Sequence, residues 1–351
     1  RPHTPHPDPV TAAGAPARRA AAYAPHRAAG IDFAGSLKAT RRRLWVRTSA
    51  GASGDHDGAA AEVRMIARAA AAAAAAGSAS SGHACAAGPA DHPLDLAAVA
   101  AAAADRALRG RDPIDVDPGR HDVVLAPAAV AELIEWMAEA SFRGTALIDG
   151  TSLLAGRAGA PVCDPRVTIS DRPGPGDPPF DAEGTPRRPV AFIRDGVGGH
   201  ALTDRLTALR LGDAGGSTGH AAPLGDLDFG TPGPQHLWLA PGDATEDQLC
   251  AGIERGIYVT RFFYVNGLLD TRRATMTGMT RDGTFLIEHG RLGRGVRNLR
   301  FTDSILEALG AERLGGIGRE AVDIPTWWTE GGVITVPALL LRAFHFTGTS
   351  R

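Results

Sequence analysis

The sequence predicts an α+β protein in which a smaller α/β domain precedes a larger, predominantly antiparallel β domain with few helices. Three observations lead to this prediction. Short strand-like stretches between Gly and Pro turns dominate the C-terminal part of the chain, and helical periodicity is confined to a few stretches. A length of 351 residues also allows two domains, each with its own core.

The overall charge and the cysteines narrow the class of protein. The 37 basic and 39 acidic residues nearly cancel, so charge gives no reason to expect a nucleic acid or an anionic membrane as a partner. Cys85, Cys163 and Cys250 are far apart and form no CxxC pair, which argues against a disulfide scaffold or a zinc knuckle. A reduced, cytoplasmic setting is therefore expected. No stretch has the pattern of a signal peptide or a membrane span.

The first part of the chain is interpreted as a linker followed by the smaller domain. Residues 1–28 are rich in proline and lack periodicity, so we expect a linker or a poorly ordered segment. Residues 29–117 are assigned to the smaller domain, with strand character at Leu44–Val46 and at Val63–Ile66. Propensity favours a helix at Ala69–Ala76, whereas continuity with the preceding stretch favours a strand.

One helix is predicted near the end of the smaller domain. Asp95 can cap its N-terminus, its periodicity runs from Leu96 to about Leu108, and Gly110 is placed to end it. The stretch Asp112–Gly119 contains two prolines and is the predicted domain boundary.

The larger domain, residues 118–351, is predicted to begin with a buried strand at Asp122–Leu125. A helix follows from Pro127 to about Phe142, and a short helix is predicted at Asp303–Leu309. The remaining predicted strands are Arg166–Ile169, Pro189–Arg194, Tyr258–Val265, Ala274–Met279, Thr284–Glu288 and Gly332–Phe346.

The helix after Pro127 carries the stretch ELIEWMAE, in which Glu132, Glu135 and Glu139 share one face. A solvated acidic face is the preferred interpretation, because carboxylates are common on the outer side of surface helices. A metal site would need histidine, cysteine or partners from elsewhere in the chain. The apolar sector of the helix consists of Leu133, Ile134, Trp136, Met137 and Ala140.

A second motif, Gly215–Gly219, matches the GxSxG pattern of a hydrolase nucleophile around Ser217. That motif requires a strand before the serine, whereas the preceding Thr203–Leu211 is helix-like. A chance match in a Gly-rich loop is therefore preferred. A metal-independent hydrolase that uses Ser217 or Cys163 stays open as a weaker hypothesis.

Four stretches follow one another in a fixed order: FDAEGTPRRPVAFIRDGVGGHALTDRLTALRLG (180–212), STGHA (217–221), GIYVTRFFYVNGLLDTRRATMTGMTRDGTFLIEHGRL (256–292) and VRNLRFTDSILEAL (296–309). This series resembles the TldD/PmbA family of bacterial modulator metalloproteases. Two further stretches, LWVRTSAG (44–51) and SGHACAAGPADHPLDLAAVAAAAADRAL (81–108), look like the middle domain of that family. The family's N-terminal domain is expected to be absent from this sequence.

The resemblance also implies which branch of the family this chain is similar to. In the TldD branch, the helix after the strand that corresponds to Val123–Leu125 carries HExxxH, which binds zinc together with a downstream cysteine. This sequence has Glu135, Trp136 and Ala140 at the three motif positions, and no cysteine follows Cys250. The TldE/PmbA branch is therefore implied. No catalytic residue, metal ligand or cofactor is expected in this chain, and zinc is expected in a TldD-like partner.

The resemblance implies a non-catalytic subunit of a cytoplasmic, heterodimeric zinc metalloprotease that acts on unfolded or modified peptides. An extended peptide and a TldD-like subunit are the expected partners, with no nucleic acid and no membrane. The alternative is a homo-oligomeric, non-proteolytic protein that binds a peptide or a small molecule in the same cavity. Turn formation or structural ion pairing is the alternative role for each candidate contact residue. These candidates for peptide or cavity contact are Asp181, Glu183, Asp204, Arg205, Thr218, His220, Arg281 and Asp282.

Overall fold

The computed structural model confirms the α+β class, with three sheets and few helices in the part of the chain that it describes. None of the helices in that part is both long enough and apolar enough to cross a membrane. The described residues are 15–27, 30–70, 80–89, 93–174, 176–222, 231–327 and 332–349.

The smaller N-terminal unit is one antiparallel sheet covered by helices. The strands follow the order β1-β2-β3, and the helices and strands share one buried apolar cluster. Its elements are α1 (Ala15–Arg27), β1 (Ile31–Arg47), β2 (Ser53–Ala69), β3 (Ser80–Pro89) and α2 (Leu96–Arg109).

Helix α2 packs closely on the sheet because its buried face is almost entirely alanine. As predicted, the side chain of Asp95 caps the helix by accepting a backbone hydrogen bond at 2.9 Å, and Gly110 ends it. The backbone of Ala103 and Ala107 lies so near Gly82 of β3 that any Cβ at Gly82 would collide with it. Small residues on both sides therefore set the distance between helix and sheet.

The linker prediction for residues 1–28 does not hold for Ala15–Arg27, which forms α1. Ala22 of this helix is buried, and the ring of Tyr23 stacks on Phe33 of β1 with 4.5 Å between centroids. Packing against the sheet thus stabilises a helix that has little periodicity of its own. The rest of the predicted linker lies outside the described residues.

The predicted strands at Leu44–Val46 and Val63–Ile66 lie within β1 and β2. Of the ambiguous alanine run, Ala69 is the last residue of β2 and Ala70 belongs to no element. The remainder of that run lies outside the described residues.

The larger unit begins at β4 and contains the remaining two sheets. Its elements are β4 (Gly119–Leu125), α3 (Pro127–Ser141), α4 (Gly144–Ile148), β5 (Ile169–Asp171), β6 (Val190–Arg194), β7 (Val197–Gly198), α5 (Arg205–Leu211), β8 (His236–Leu239), α6 (Glu246–Ala251), β9 (Arg255–Asp270), β10 (Thr275–Glu288), β11 (Arg291–Gly295), β12 (Leu299–Ser304), α7 (Ile305–Ala308), β13 (Leu314–Ile317), β14 (Val322–Pro325), β15 (Val333–Val336) and β16 (Leu339–Thr349).

Five of these strands pair in a closed ring. Strand β10 pairs with β12, β12 with β16, β16 with β4, β4 with β9, and β9 again with β10. Only the β4–β9 pair is parallel. Strand β11 adds to β10, and β13 adds to β16. The aromatic rings of Phe262, Phe301 and Phe344 contact one another across three strands of the ring, with all three side chains buried.

Helix α3 lies between this ring and the third sheet, whose strand order is β14-β15-β8-β5-β6-β7. Val130, Leu133, Ile134 and Met137 of α3 belong to one buried cluster, which also includes residues of the ring and of β5, β6, β8 and β15. A helix that packs on both sides needs apolar residues around most of its circumference. The sequence of α3 meets that requirement, with its glutamates at the margin of the apolar surface.

Strands β4 and β6 and helix α3 lie where the sequence predicts them. The predicted strands at Ala274–Met279 and Thr284–Glu288 are instead one continuous strand, β10. Asp282 (φ 53°) and Gly283 (φ 126°) produce an irregularity in its pairing rather than a turn. The predicted strand Gly332–Phe346 is divided into β15 and β16, which pair in different sheets.

Two other elements are shifted from their predicted positions. The predicted strand Arg166–Ile169 contributes only Ile169 to β5. The predicted helix Asp303–Leu309 is shortened to α7, because Ser304 caps it by accepting a hydrogen bond from the N–H of Glu307 at 3.2 Å. These shifts concern the ends of elements, which hydrogen bonds to neighbouring segments decide.

The carboxylate of Asp171 is a fully buried polar anchor of the third sheet. Its Oδ1 accepts hydrogen bonds from Arg187 Nη2 (3.0 Å) and His220 Nε2 (3.1 Å), and its Oδ2 accepts them from the N–H groups of Gln235 (2.7 Å) and His236 (3.0 Å). Burial by itself would raise the pKa of Asp171. Hydrogen bonding and charge from His220, together with the charge of Arg187, outweigh burial and lower the pKa to about 2.

We expect Asp171→Asn to lower the free energy of unfolding by about 3–5 kcal/mol, because the buried guanidinium of Arg187 would lose its counter-charge. Chemical denaturation followed by circular dichroism measures this change. Asp149→Asn is the matched control at an exposed carboxylate, and should change the same quantity by less than about 0.5 kcal/mol. Equal effects of the two substitutions would contradict the anchoring role.

The same pair of proteins tests the pKa of Asp171. Because the pKa of about 2 in the folded state lies below the usual 3.8, the ionised carboxylate stabilises the fold fully above about pH 4. This contribution is lost as the pH falls towards 2. The difference in unfolding free energy between the wild type and Asp171→Asn should therefore narrow over that range. A difference that stays constant would contradict the lowered pKa.

Candidate functional site

The acidic side of α3 faces protein, so the prediction of a solvated face is wrong. Glu135 is only 5 % exposed, and Glu132 and Glu139 are half-buried. Glu135 Oε1 accepts a hydrogen bond from the backbone N–H of Trp327 at 2.9 Å, and Glu139 forms an ion pair with Arg143. The physical reason is the position of α3 between two sheets, which leaves no side of the helix fully open to water.

A cavity of about 350 Å³ lies between β3, α2, the N-terminus of α3 and β14. It is here called the main cavity because it lies beside α3, and not because of its size. Its inner wall consists mainly of small apolar side chains, and charged side chains lie at its mouth. The buried apolar residues of the wall include Ala84, Val99, Ala126, Ile324 and Ala338, and the exposed charged residues are Glu246, Arg319 and Glu320.

A second space of about 20 Å³, here called the polar pocket, adjoins the main cavity. His83 and Cys85 line both spaces. The volume of the polar pocket is close to that of a single water site. Its ionisable lining residues include Arg64, Glu132, Glu135 and Arg261.

A buried ion pair between Arg261 of β9 and Asp282 of β10 forms one side of this region. Arg261 Nε donates to Asp282 Oδ2 at 2.8 Å, and the hydroxyl of Ser81 in β3 donates to Asp282 Oδ1 at 2.6 Å. Burial would raise the pKa of Asp282, but the charge of Arg261 and both hydrogen bonds outweigh it and lower the pKa. The carboxylate thus connects the sheet of the smaller unit to the strand ring.

Arg64 of β2 forms the other side of the polar pocket. Its Nη2 donates to the carbonyl oxygen of Pro325 (2.9 Å), the last residue of β14, and to that of Thr326 (2.6 Å), which follows the strand. The guanidinium carbon lies 4.6 Å from the centre of the Trp327 ring, within the range of a cation–π contact. Arg64 Nε is also 3.6 Å from Glu62. Arg64 therefore holds the segment whose Trp327 N–H donates a hydrogen bond to Glu135.

Burial shifts the pKa values of three groups at the two spaces. It lowers the pKa of His83 to about 3, with the charge of Arg261 acting in the same direction. It raises the pKa of Glu132 to about 7, against the opposing charge of Arg261, and raises the pKa of Cys85 to about 11. At neutral pH, His83 is therefore a neutral imidazole and Cys85 a thiol, and Glu132 is the group that titrates.

The α3 positions that the resemblance associates with zinc do not provide a zinc site. Glu135 accepts its hydrogen bond from a backbone N–H, and Ala140 has no ligand atom. The ring of Trp136 packs against β9, where a Cβ at Gly267 would lie 2.9 Å from it. Within the described ranges, no three His, Cys, Asp or Glu side chains are grouped so that they could hold a metal ion.

Six of the eight candidate contact residues lie in the loops and helix beside the third sheet. Asp181 accepts backbone hydrogen bonds from Thr185 (2.8 Å) and Ala221 (3.0 Å), and is buried. Glu183 Oε2 accepts one from the N–H of Arg205 at 3.0 Å, and burial raises the pKa of Glu183. The six residues are Asp181, Glu183, Asp204, Arg205, Thr218 and His220.

Hydrogen bonds also hold the other members of this group in place. Asp204 caps α5 by accepting from the N–H of Thr207 at 2.6 Å. The hydroxyl of Thr218 lies 2.9 Å from Nδ1 of His220, whose other ring nitrogen contacts Asp171. None of the six is among the described residues that line the main cavity or the polar pocket.

Arg281 and Asp282, the other two candidates, lie together on β10. The guanidinium carbon of Arg281 is 4.2 Å from the centre of the half-exposed Phe263 ring, and Asp282 is the buried partner of Arg261. The structure therefore brings the eight residues into two separate groups. Their contact with a peptide stays a prediction.

The alternative nucleophiles have unfavourable surroundings. Ser217 follows α5 and a loop rather than a strand, and its hydroxyl donates to the carbonyl oxygen of Thr203 at 3.0 Å. The strand-to-helix turn of a nucleophile elbow is therefore missing at Ser217. Burial and the neighbouring Asp164 raise the pKa of Cys163 to about 12, so this thiol is not ionised at neutral pH.

The sequence did not predict most of the residues that line the main cavity and the polar pocket. Arg64, His83, Arg261 and Trp327 come from four segments that are far apart in the chain. His83 and Arg261 do fall within stretches that carry the family resemblance, and this is the signal that could have identified them. No local pattern distinguishes Arg64 from the other arginines of its strand.

We expect Glu132→Gln to stabilise the protein increasingly as the pH rises. The folded-state pKa of about 7 exceeds the usual 4.5, so the wild type loses stability between these two values as the buried carboxyl is forced to ionise. The difference between variant and wild type should grow by about 1–3 kcal/mol over that range, since Glu132 is only partly screened from water. Denaturation at several pH values measures it. Exposed Glu312→Gln is the control, and a pH-independent difference for Glu132→Gln contradicts the raised pKa.

The chain is similar in sequence to proteins that are described as metalloproteases. It is 26 % identical over 205 residues to a protein of Methanothermobacter thermautotrophicus described as a metalloprotease, covering 58 % of this chain and 43 % of that protein. It is 25 % identical over 213 residues to a protein of Saccharolobus solfataricus described as a zinc metalloprotease TldD homolog, covering 58 % and 45 %. The matched segments span less than half the length of either relative.

A comparison of structures and a match to a family model agree with this similarity in sequence. The structure matches that of TldE from Thermococcus kodakarensis with a TM-score of 0.82 at 18 % identity, covering 99 % of this chain and 78 % of that chain. Residues 118–348 match the family model of the PmbA/TldA metallopeptidase C-terminal domain. Because this match covers more than half of the sequence, the chain belongs to the PmbA/TldD metallopeptidase family.

Proposed function

We propose that the chain is a TldE/PmbA-like, non-catalytic subunit of a heterodimeric zinc metalloprotease that acts on unfolded or modified peptides. A TldD-like partner supplies the zinc. The observation that carries this proposal is the composition of α3: Trp136 and Ala140 have no atoms that bind zinc, and Glu135 is hydrogen-bonded to a backbone N–H. The cytoplasmic location expected from the cysteines stays a prediction.

The similarities to known proteins support the proposal at different levels. The relatives described as metalloproteases support a role in proteolysis. The likeness to TldE supports the fold of the subunit. The pairing of this chain with a zinc-bearing subunit is inferred from the departure of α3 from HExxxH, because a chain without its own ligands needs a partner to supply metal chemistry.

An extended peptide can pair with a strand that lies at the end of a sheet, and two such strands adjoin the main cavity in the described part of the chain. Strand β3 is the last strand of the order β1-β2-β3, and β14 is the first of the order β14-β15-β8-β5-β6-β7. Both strands line the main cavity. An edge strand presents unpaired backbone groups that an extended peptide can pair with, largely independently of the peptide's sequence. This arrangement suits a subunit that handles unfolded chains.

The decisive experiment is to purify the chain alone and together with the TldD-like protein of the same genome. We expect a stable heterodimer with about one zinc per pair, and peptidase activity that is lost on chelation. The chain alone should contain well under one zinc and show no peptidase activity. Activity of the lone chain that survives chelation would contradict the proposal.

Within the heterodimer, Glu135→Gln tests whether this chain takes part in the chemistry. The substitution keeps an oxygen that can accept the hydrogen bond from the N–H of Trp327. The kcat of the complex should therefore stay within about twofold, whereas replacing the glutamate of the partner's HExxxH should remove activity. A large loss of kcat with intact zinc content and folding would assign a catalytic role to Glu135.

A homo-oligomeric, non-proteolytic binding protein is the second candidate. The favouring observation is that the main cavity is lined by residues of this one chain, so a ligand can bind without a second kind of subunit. Light scattering after chromatography distinguishes the two. A homo-oligomer that does not associate with the TldD-like protein supports the second candidate.

A further inference from the structure

Arg106 of α2 brings a positive charge to the main cavity. It is half-buried in the cavity wall, and its Nη1 donates to the carbonyl oxygen of His83 at 2.6 Å. In the described part of the chain no carboxylate forms an ion pair with Arg106, since the carboxylate on its own helix and those at the mouth have other partners. These partners are Arg109 for Asp105, Tyr258 for Glu246 and Arg319 for Glu320. A guanidinium is always charged in proteins, so Arg106 can still bind an anion.

The N-terminus of α3 meets the same cavity without a side-chain cap. Ala126 stands at the N-cap position and has no acceptor atom in its side chain, and the first helical residue is Pro127. The first N–H groups of a helix have no carbonyl partner within the helix, and together with the helix dipole they favour an anion at this end. Ala126, Pro127 and Ala128 all line the cavity. The positive end of a 15-residue helix is therefore part of the wall.

Two polar atoms of the wall are buried without a partner. The Oγ1 atom of Thr260 on β9 and the Nδ1 atom of His83 on β3 have no hydrogen-bond partner among the residues that the structure describes. Thr260 is 1 % exposed and His83 is 6 % exposed, and both line the cavity. Buried polar atoms are rarely left unpaired. A hydroxyl and a neutral imidazole can each donate one hydrogen bond, so both can serve an acceptor on a ligand.

The potential at the inner wall is positive. Burial lowers the pKa of His83 to about 3. The charges of Arg261, Arg106 and Arg64 lower it further, while the charge of Asp282 acts in the opposite direction. An ionised carboxylate in the cavity would therefore exchange part of its hydration for a favourable charge interaction.

The rest of the cavity determines what carries the anion. Its volume of about 350 Å³ is at the lower end of the range of about 300–1,000 Å³ for small-ligand pockets, and it exceeds that of a single side chain. Ala84, Val99 and Ala338 contribute a buried apolar surface. An apolar body gains the free energy of leaving water there, while an acid group on the same molecule can lie at Arg106.

We propose that the main cavity binds an apolar molecule of dipeptide size that carries one free carboxylate, held by Arg106, the N-terminus of α3 and the hydroxyl of Thr260. The C-terminal end of a peptide and a free small carboxylic acid share this chemistry. The first source rests on the proposed peptide-binding role, whereas the second does not. Neither source requires the zinc or the partner.

The test is isothermal titration of the full chain with N-acetyl-alanyl-leucine, as the free acid and as the C-terminal amide. The acid should bind at least about tenfold more tightly than the amide, because the amide offers no charge to Arg106. Equal affinity of the acid and the amide would overturn the proposal. Absence of saturable binding of the acid by the folded chain would overturn it as well.

A decapeptide that ends in the same two residues distinguishes the two sources. Saturable binding of this decapeptide with a free C-terminus, but not of its C-terminal amide, assigns the cavity to the ends of peptides. Binding of the acetylated dipeptide acid alone assigns it to small free acids. No assay here measures proteolysis, so failure of all titrations beside an active zinc heterodimer would reject the carboxylate site and leave the proposed function standing.

A pair of substitutions on α2 tests the role of the guanidinium. Arg106→Gln should weaken binding of the acid by about tenfold or more and change the affinity of the amide by less than about twofold, so that the preference for the acid disappears. Arg109→Gln is the matched control, because Arg109 is exposed at the end of the same helix and outside the wall. The control should keep the preference. Equal effects of the two substitutions, with the fold confirmed by circular dichroism, would contradict the proposal.

Thr260→Val gives an independent measurement. It replaces an unpaired buried hydroxyl with a methyl group, so the Tm of the free protein should not fall, whereas the affinity for the acid should fall by about fivefold or more. Thr284→Val is the matched control: Oγ1 of Thr284 is also buried and unpaired within the described ranges, but Thr284 lies outside the wall. The control should change the affinity by less than about twofold. A lower Tm with unchanged affinity for Thr260→Val would show a structural role and contradict the assigned contact.

Discussion

The ion pair between Arg261 and Asp282 is the interaction on which the arrangement of the site depends. A buried pair of charges is stabilising only when its remaining hydrogen-bonding capacity is satisfied. Here Ser81 supplies the additional donor, at 2.6 Å from the carboxylate. The three residues belong to β9, β10 and β3, so satisfying one carboxylate holds the smaller unit against the strand ring. His83, two residues after Ser81 on β3, lines the main cavity.

The same pair determines the electrostatics of the neighbouring groups. Burial lowers the pKa of His83, and the positive charge of Arg261 lowers it further. The same charge limits the rise in the pKa of Glu132 that burial causes. Arg64 adds a second fixed cation, held by carbonyl oxygens at the end of β14. Glu135 and Glu132 therefore lie in a region whose charge is set by two arginines rather than by solvent. This explains why carboxylates are tolerated on a helix that packs on both sides.

The sequence alone was sufficient to predict those helices and strands whose signals lie within a few neighbouring residues. Asp95 starts a helix by accepting a backbone hydrogen bond, and Gly110 ends the same helix. Pro127 suits the first position of a helix because it has no N–H to leave unpaired. The α+β class follows from many short strands. Other features depend on contacts between distant segments, which no local pattern encodes. These features are the parallel β4–β9 pair, the closure of the ring and the pairing of β15 with β8. The outward orientation assigned to Glu135 failed for the same reason, since a second sheet covers the face that periodicity marks as polar.

A histidine pair buried on α3 would be costly without a bound metal, because neutral imidazoles would need other partners for their ring nitrogens. Glu135 and Ala140, which stand at the two histidine positions, remove that requirement, and Trp136 stands at the position of the glutamate. The indole packs against Gly267 of β9, where only a residue without a side chain leaves room for it. The helix is consequently held by packing and by the hydrogen bond from the N–H of Trp327 to Glu135. Neither this packing nor this hydrogen bond involves a metal ion, which suits the proposed role of a subunit whose partner supplies the zinc.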